Sequence, residues 1–231
     1  VYGGYTDAAG GKARGNTVTI ESAVHDVVGG EGAGEASGNI VNVRANAAAV
    51  TGGRSAGAAT NNRVMLGNIT IASVVGGDAA ATAEGNTVSL DGTAVTNDVI
   101  GGRSAAANGN TVNLKDATVN GVITGGHGTV QSDGNTVSLQ NTTVNGAVTG
   151  GYGAAANDNI VNLGNVTVAS VTGGEGATTN NNEVHLNGNA RVTGALNGGS
   201  QTSSTGNTLS IKGKGNKAGA ITGFQKLTFD A

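Results

Sequence analysis

Apolar and polar residues alternate along this chain in short bursts, and the bursts recur. Each begins just after an asparagine: Asn16 leads into Thr-Val-Thr-Ile, Asn39 into Ile-Val-Asn-Val, Asn86 into Thr-Val-Ser-Leu. Two places after the asparagine stand Val18, Val41, Val64, Val88, Val112, Val137, Val161, Val184 and Leu209. Four places after it stand Ile20, Val43, Leu66, Leu90, Leu114, Leu139, Leu163, Leu186 and Ile211. A strict period of two puts these residues on one face of a β-strand and turns the intervening Thr19, Asn42, Ser89 and His185 outward. A second apolar mark lies two places before a Gly-Gly pair, at Val27, Val50, Val74, Val99, Ile123, Val148, Val171 and Leu196, and in the last copy at Ile221, before the degenerate Gly223-Phe224. Helix is rejected, because no apolar residue recurs at three-to-four spacing and glycine is spread throughout.

The bursts keep one period. The asparagines are Asn16, Asn39, Asn62, Asn86, Asn110, Asn135, Asn159, Asn182 and Asn207, in steps of 23 to 25 residues. The Gly-Gly pairs, from 29–30 to 198–199, keep the same step. Counting outward from Gly-Gly predicts a narrow interior column at Ala48, Ala72, Gly121, Gly146, Ala169 and Gly194. It predicts a third inward column at Ala33, Ala56, Ala80, Ala105, Thr129, Ala154 and Ala177. Three short segments per turn give a flattened or triangular coil. Self-similarity at such a period marks a repeat architecture. In a solenoid, like residues stack on like about 4.8 Å apart, so one consensus solves every layer. In a sandwich of hairpins, successive strands have different neighbours and would share no consensus. The expectation is an all-β, right-handed parallel β-helix (β-solenoid) of about nine to ten coils, with handedness taken from the crossover rule. Its length would be on the order of 45 Å. Residues 1–223 form the repeats, and 224–231 a terminal strand that continues or caps them.

The repeated asparagine shares the parity of the buried Val and Leu, so its side chain is expected to face inward. A buried amide is costly unless hydrogen-bonded. Stacked asparagines meet that need by bonding to one another up the column, as in amide ladders of stacked sheets. The other reading is that asparagine supports a left-handed turn, often beside glycine as in Gly15-Asn16.

Composition narrows the classes. The chain has 231 residues with 43 Gly, no Pro, no Cys and 2% aromatics. The core must therefore be Val, Ile, Leu and Ala rather than aromatic bulk. Collagen needs Gly at each third position with abundant Pro. Disorder needs low hydrophobicity and high net charge, whereas this chain is 37% hydrophobic with a net charge of −3. The one basic cluster is Lys212, Lys214 and Lys217. That argues against a nucleic-acid partner, which would need clustered cations. No apolar run is long enough for a membrane-spanning helix, so no membrane insertion by this segment is expected. Val1-Tyr2-Gly3-Gly4 shows no signal-peptide pattern, as in a mature or excised fragment. Without cysteine there is no disulfide or thiol chemistry.

The Asn-x-Val-x-Leu and Val-x-Gly-Gly units end in Ile221-Thr222-Gly223-Phe224-Gln225-Lys226-Leu227-Thr228-Phe229. The whole pattern resembles the passenger region of bacterial autotransporters, secreted Gram-negative proteins built on right-handed parallel β-helices. The resemblance covers nearly the whole chain. It implies a bacterial cell-surface or extracellular location and a role as adhesin, aggregation module or spacer. The partner would be a host or neighbouring-cell surface protein or glycan, or another copy of the chain. No functional residues carry over, because passengers share a scaffold rather than a site.

Parallel β-helices also host polysaccharide lyases and glycoside hydrolases, and such an enzyme is the alternative reading. It needs carboxylates grouped on neighbouring coils. Asp26 and Asp98 share a column but stand three coils apart, roughly 14 Å. His25 and Asp26, adjacent in a strand, are expected to point to opposite faces. His127 and His185 lack partners at metal-ligand spacing. The Gly-Gly-Glu-Gly phrases resemble calcium-binding nonapeptides without their aspartates, so no catalytic residue, metal or cofactor is assigned. Two outward threonine columns suggest an ice-binding face, but both are interrupted: Thr17, Thr87, Thr111, Thr136 and Thr208 by Ile40, Arg63, Ile160 and Glu183; Thr51, Thr124, Thr149, Thr172 and Thr222 by Val28, Val75, Ile100 and Asn197. The candidate contact surface is the outward column directly after Gly-Gly: Tyr5, Glu31, Arg54, Asp78, Arg103, His127, Tyr152, Glu175 and Ser200. Signs alternate from Glu31 to Arg103, which predicts a ladder of salt bridges between coils. Solenoid ends are exposed sheet edges. Phe224 and Phe229 are expected to plug the last coil in part, and the chain to be a segment of a longer protein or to stack on other copies.

Overall fold

The structure, a computed structural model, describes residues 1–199 and 204–230. Among these residues the regular structure is all β, gathered into one sheet of ten strands and another of 17. Pairing between coils is parallel throughout, and the chain winds as a β-solenoid of about nine turns with a period near 24 residues.

The ten-stranded sheet is the Asn-x-Val-x-Leu wall, running from Thr17–Ile20 to Lys226–Asp230. Its strands stack in exact chemical register, as in Val64 on Val88 and Leu66 on Leu90. Val41, Val64, Val88, Val112, Val137, Val161 and Val184 are wholly buried. Each contributes roughly 1.5–3 kcal/mol by leaving water.

Left-handed residues bound this wall on both sides. One column, Gly15, Gly38, Asn61, Gly85, Gly109, Gly134, Asp158, Asn181 and Gly206, has φ of 54 to 75°. The other, Asn68, Gly92, Asp116, Asn141, Asn165, Gly188 and Gly213, has φ of 51 to 79°. Only Gly, Asn and Asp visit that region at low cost, which is why these three types alternate there.

The stacked amides form a ladder. Asn39 donates its backbone N–H and its Nδ2 to Asn62 Oδ1, at 3.1 and 2.8 Å, and a second Nδ2 hydrogen to the Ala13 carbonyl at 3.1 Å. The same bonds link each later rung to the next as far as Asn207. The rungs from Asn39 to Asn207 are at most 1% exposed, and Asn16 is half-buried. The left-handed turn falls on the residue before each rung, so the two readings of asparagine describe two adjacent columns.

The Gly-Gly corner is the other half of the same contact. A Cβ on Gly101 would lie 3.0 Å from Asn110 Cβ, and one on Gly102 would lie 2.5 Å from Asn110 Nδ2. The backbone is pressed inward against the ladder, and only glycine leaves room. The two sequence marks that keep one period are thus two sides of one packed layer.

Two inward columns differ from the expectation. Ala48, Ala72, Gly121, Gly146, Ala169 and Gly194 are half-buried on the outside of a bend. The interior position is held by Ala47, Ile71, Val95, Val119, Val144, Val168 and Val192. The bend from this column to Val50, Val74 or Val99 takes three residues in some coils and four in others, so parity counted back from Gly-Gly fails. Likewise Ala33 and Ala105 are half-buried, and Ala56, Ala80, Thr129, Ala154 and Ala177 exposed. A turn after the Gly-Gly strand carries them outward. The core is closed instead by Ala36, Ala59, Ala83, Ala107, Ser132, Ala156 and Thr179, all 0% exposed.

At the last coil, Gln225 stands opposite Asn207 and accepts its backbone N–H at 2.8 Å, so a glutamine makes the tenth rung. Phe224 packs against the core as expected of a plug, but Phe229, in register with Ile211, is 71% exposed. A phenylalanine at an inward position has nothing to cover it in the outermost described coil.

Candidate functional site

The column after Gly-Gly stacks as predicted. Tyr5 pairs with Glu31, Glu31 with Arg54, Arg54 with Asp78, Asp78 with Arg103, Arg103 with His127, His127 with Tyr152 and Tyr152 with Glu175. Ser200 lies outside the described residues. The alternating salt-bridge ladder forms at one step only. Arg54 meets Glu31 at 3.2 Å, and among the described residues Asp78 and Arg103 have no ion pair. The aromatic members make edge-on contacts instead: Tyr5 with Tyr2 at 5.8 Å between centroids, and Tyr152 with His127 at 4.8 Å.

The stripe is one wall of a groove. Val28, Thr51, Val75, Ile100, Thr124 and Thr149, the column just before Gly-Gly, are at most 9% exposed although their side chains point out of the coil. The cause is the corner. Where glycine lets the backbone fold toward the ladder, the outer faces on either side turn toward each other. This column, read in the sequence as an exposed threonine face, is therefore a sunken floor. The other wall, opposite Arg103, His127 and Tyr152, carries Asp98, Val122 and Ala147.

The groove deepens over four coils into a cavity of about 290 Å³. Ile100, Thr124 and Thr149 floor it, and Arg103, His127, Tyr152 and Glu175 rise on one side. Asp98 is held in place by the Val122 backbone N–H, which donates to its Oδ1 at 2.9 Å. Burial, reinforced by the nearby Arg103 and opposed by Glu175, lowers the His127 pKa, so the ring is neutral at physiological pH. A neutral imidazole offers one donor and one acceptor. Among the described residues the hydroxyls of Thr124 and Thr149 have no protein hydrogen-bond partner, although the two residues are only 7% and 9% exposed. Asp98 and the floor residues were not singled out with the stripe. Their signal was their place within three residues of Gly-Gly, which becomes meaningful only once the corner is known to be re-entrant.

Other candidates fall elsewhere. His25 Nδ1 contacts Asp26 Oδ1 at 3.1 Å on the surface, contrary to the expected opposite faces. Val24 and Val27 both turn inward, so the two residues between them share one outer bend. His185 meets Glu183 at 3.0 Å across one outward face. Among the described residues no cluster of three His, Cys, Asp or Glu could hold a metal ion, and no helix is long and apolar enough to cross a membrane. A trough of about 520 Å³ lies on the outer face of the ten-stranded wall, lined by Ser89, Asn113, Ser138 and Asn162 over a floor of strand backbone. Its charged residues, Asp91 and Lys115, pair with each other at 3.8 Å.

No family model, curated protein or solved structure matches this chain.

Proposed function

We propose that this chain is an extracellular bacterial surface module, autotransporter passenger-like, that works as an adhesin, aggregation or spacer scaffold through a repetitive face. The observation that carries this reading is the contrast between columns. Inside, one consensus repeats at each coil. Along the groove wall, the residue changes at almost each step from Tyr5 to Glu175, and it is charged or aromatic throughout. A position free to vary on a rigid scaffold, grouped in one continuous stripe, is where recognition can be tuned without cost to the fold. The aromatic and arginine content is that of contact surfaces.

The test is to immobilise the chain and measure capture of host matrix proteins, glycans, intact cells and the chain itself. A set of stripe substitutions (Arg54→Gln, Arg103→Gln, Tyr152→Ser) should reduce the captured partner at least tenfold while the melting curve stays put. Capture unchanged by all three would remove the stripe from the reading. Cleavage of a polysaccharide by the purified chain would replace the reading with a β-helix carbohydrate-active enzyme.

A further inference from the structure

We propose that the cavity centred on His127 is a binding site for an uncharged saccharide unit. This rests on the reading of the stripe as a contact surface and names the ligand class that this stretch of the groove would take. The groove is not uniform. Where the coils of Arg103, His127, Tyr152 and Glu175 stack, a floor, two walls and a cavity of about 290 Å³ coincide. That volume sits at the lower end of the range for small-molecule sites, about 300–1,000 Å³. It suits one or two sugar rings rather than a folded protein surface.

The lining has the mixture a polyol requires. Thr124 and Thr149 are more than nine-tenths buried and line the cavity floor, and among the described residues their hydroxyls have no protein partner. Such groups, which solvent reaches, exchange a water for a ligand hydroxyl without breaking a bond within the protein. Arg103 brings guanidinium donors not engaged in any ion pair, whereas Arg54 in the same column is tied to Glu31. Glu175 and the outer oxygen of Asp98 supply acceptors. Tyr152, 44% exposed and braced edge-on by His127, offers an aromatic surface for the C–H side of a pyranose.

Charge decides among ligand classes. Arg103 and Glu175 stand at the two ends of the stripe wall with the neutral His127 in the same column, and Asp98 lies on the facing wall. An anionic glycan or a phosphate would meet the two carboxylates, and a cation would meet Arg103 at one end of the stripe wall. A neutral ligand rich in hydroxyl groups meets neither.

The experiment titrates the full chain with a panel of neutral di- and trisaccharides built from hexose and N-acetylhexosamine units, and with a uronate disaccharide. Binding is followed by the NMR signals of the His127 ring and of the Thr124 and Thr149 methyls. At least one neutral sugar should shift these signals saturably. Tyr152→Ala and Arg103→Gln should each weaken it tenfold or more. Arg63→Gln and Lys115→Gln, on the opposite wall, should leave it within twofold, with thermal melts confirming that all four variants fold. Preference for the uronate, or binding indifferent to Tyr152 and Arg103, overturns the proposal. If no sugar binds while the chain still captures proteins or cells, the saccharide class is wrong and the surface-module reading stands. If capture also fails, both fall.

Discussion

Two columns run the length of this solenoid on opposite sides of the same backbone. Inside, the asparagine ladder repeats one residue type at nine coils and substitutes a glutamine at the tenth. Outside, the stripe after Gly-Gly uses five residue types over the eight described positions from Tyr5 to Glu175. The two columns share period, stacking and register, so the repeat itself does not explain the difference. Hydrogen bonding does. Each buried rung must satisfy two donors and an acceptor with geometry that only a matching amide provides. Each stripe residue faces water and owes its neighbours almost nothing. Repetition marks where physics leaves no choice, and variation marks where a choice remains.

The most severe way to break this contrast is to replace a central rung. Asn110→Leu would remove the acceptor for the Asn86 N–H and Nδ2, and the donors to Asn135 Oδ1 and the Ala83 carbonyl. Several buried polar groups would be orphaned at about 1–3 kcal/mol each, so we expect a loss of roughly 3–6 kcal/mol. Urea unfolding should show the midpoint falling with little change in slope. The half-buried Asn16→Leu should lose far less. Equal losses at the two positions would mean that the ladder is not cooperative with the core.

Next in size is the glycine that faces the ladder. Alanine at Gly102 would put a Cβ 2.5 Å from Asn110 Nδ2, so a rung must move. Overpacking together with a strained ladder bond should cost roughly 2–4 kcal/mol. Gly134 is the control. It has φ of +65° and open space around its Cβ, so Gly134→Ala should cost roughly 1–2 kcal/mol from the left-handed backbone alone. Gly134→Asn should recover most of that loss, whereas Gly102→Asn should not, which separates lack of space from backbone conformation.

These two glycines also show how far the sequence could be read. The strand wall, the period and the inward asparagine follow from strict alternation, which survives wherever a segment is straight. The inward columns on either side of Gly-Gly were misplaced because the bends there take a variable number of residues. Ile71 to Val74 spans three and Val95 to Val99 spans four, and a count of parity has no means to see a bend. For the same reason Thr124 and Thr149 read as exposed, since alternation tells inside from outside but not a convex outer face from a sunken one. The tenth rung escaped because Gln225 follows Asn207 by 18 residues rather than about 24. A shortened coil hides a rung that keeps the backbone N–H bond, while Asn207 Nδ2 turns to the Gly223 carbonyl in place of a side-chain oxygen.

That tenth rung sharpens the comparison at smaller scale. Gln225→Leu would leave the Asn207 N–H without its acceptor at a partly buried position. The cost should be about 1 kcal/mol, since water can replace the lost partner in part. Hydrogen exchange should register it locally, with the Asn207 amide exchanging about fivefold faster and the central rungs unchanged. Gln225→Asn should fail to rescue if reach matters, because the shorter side chain stops short of the backbone N–H.

Acid titration probes an outward pair of intermediate strength. Arg14, by its hydrogen bonds, holds the Glu35 carboxyl at a pKa of about 2, with Ser37 and Lys12 assisting. A folded-state pKa below the usual carboxylate value contributes stability that is complete above pH 4.5 and disappears as pH falls toward 2. Glu35→Gln should therefore lower stability at neutral pH, leave stability near pH 2 unchanged, and so flatten the acid limb between the two. A loss that persists undiminished near pH 2 would show that the pair packs rather than titrates.

The smallest expected effect is on the stripe itself. Arg54→Ala breaks the 3.2 Å pair with Glu31, but Arg54 and Glu31 keep 44% and 27% of their side chains exposed. Exposed pairs of this kind contribute about 0–1 kcal/mol, and salt screens them further. The melting temperature should move by no more than a degree or two, and less at 0.5 M salt than at low salt. Against that near-silence, the same substitution should change partner capture at least tenfold. A stripe variant that destabilised the fold as much as a ladder variant would erase the distinction between the columns. The stripe would then be scaffold, and its variety would need an explanation other than recognition.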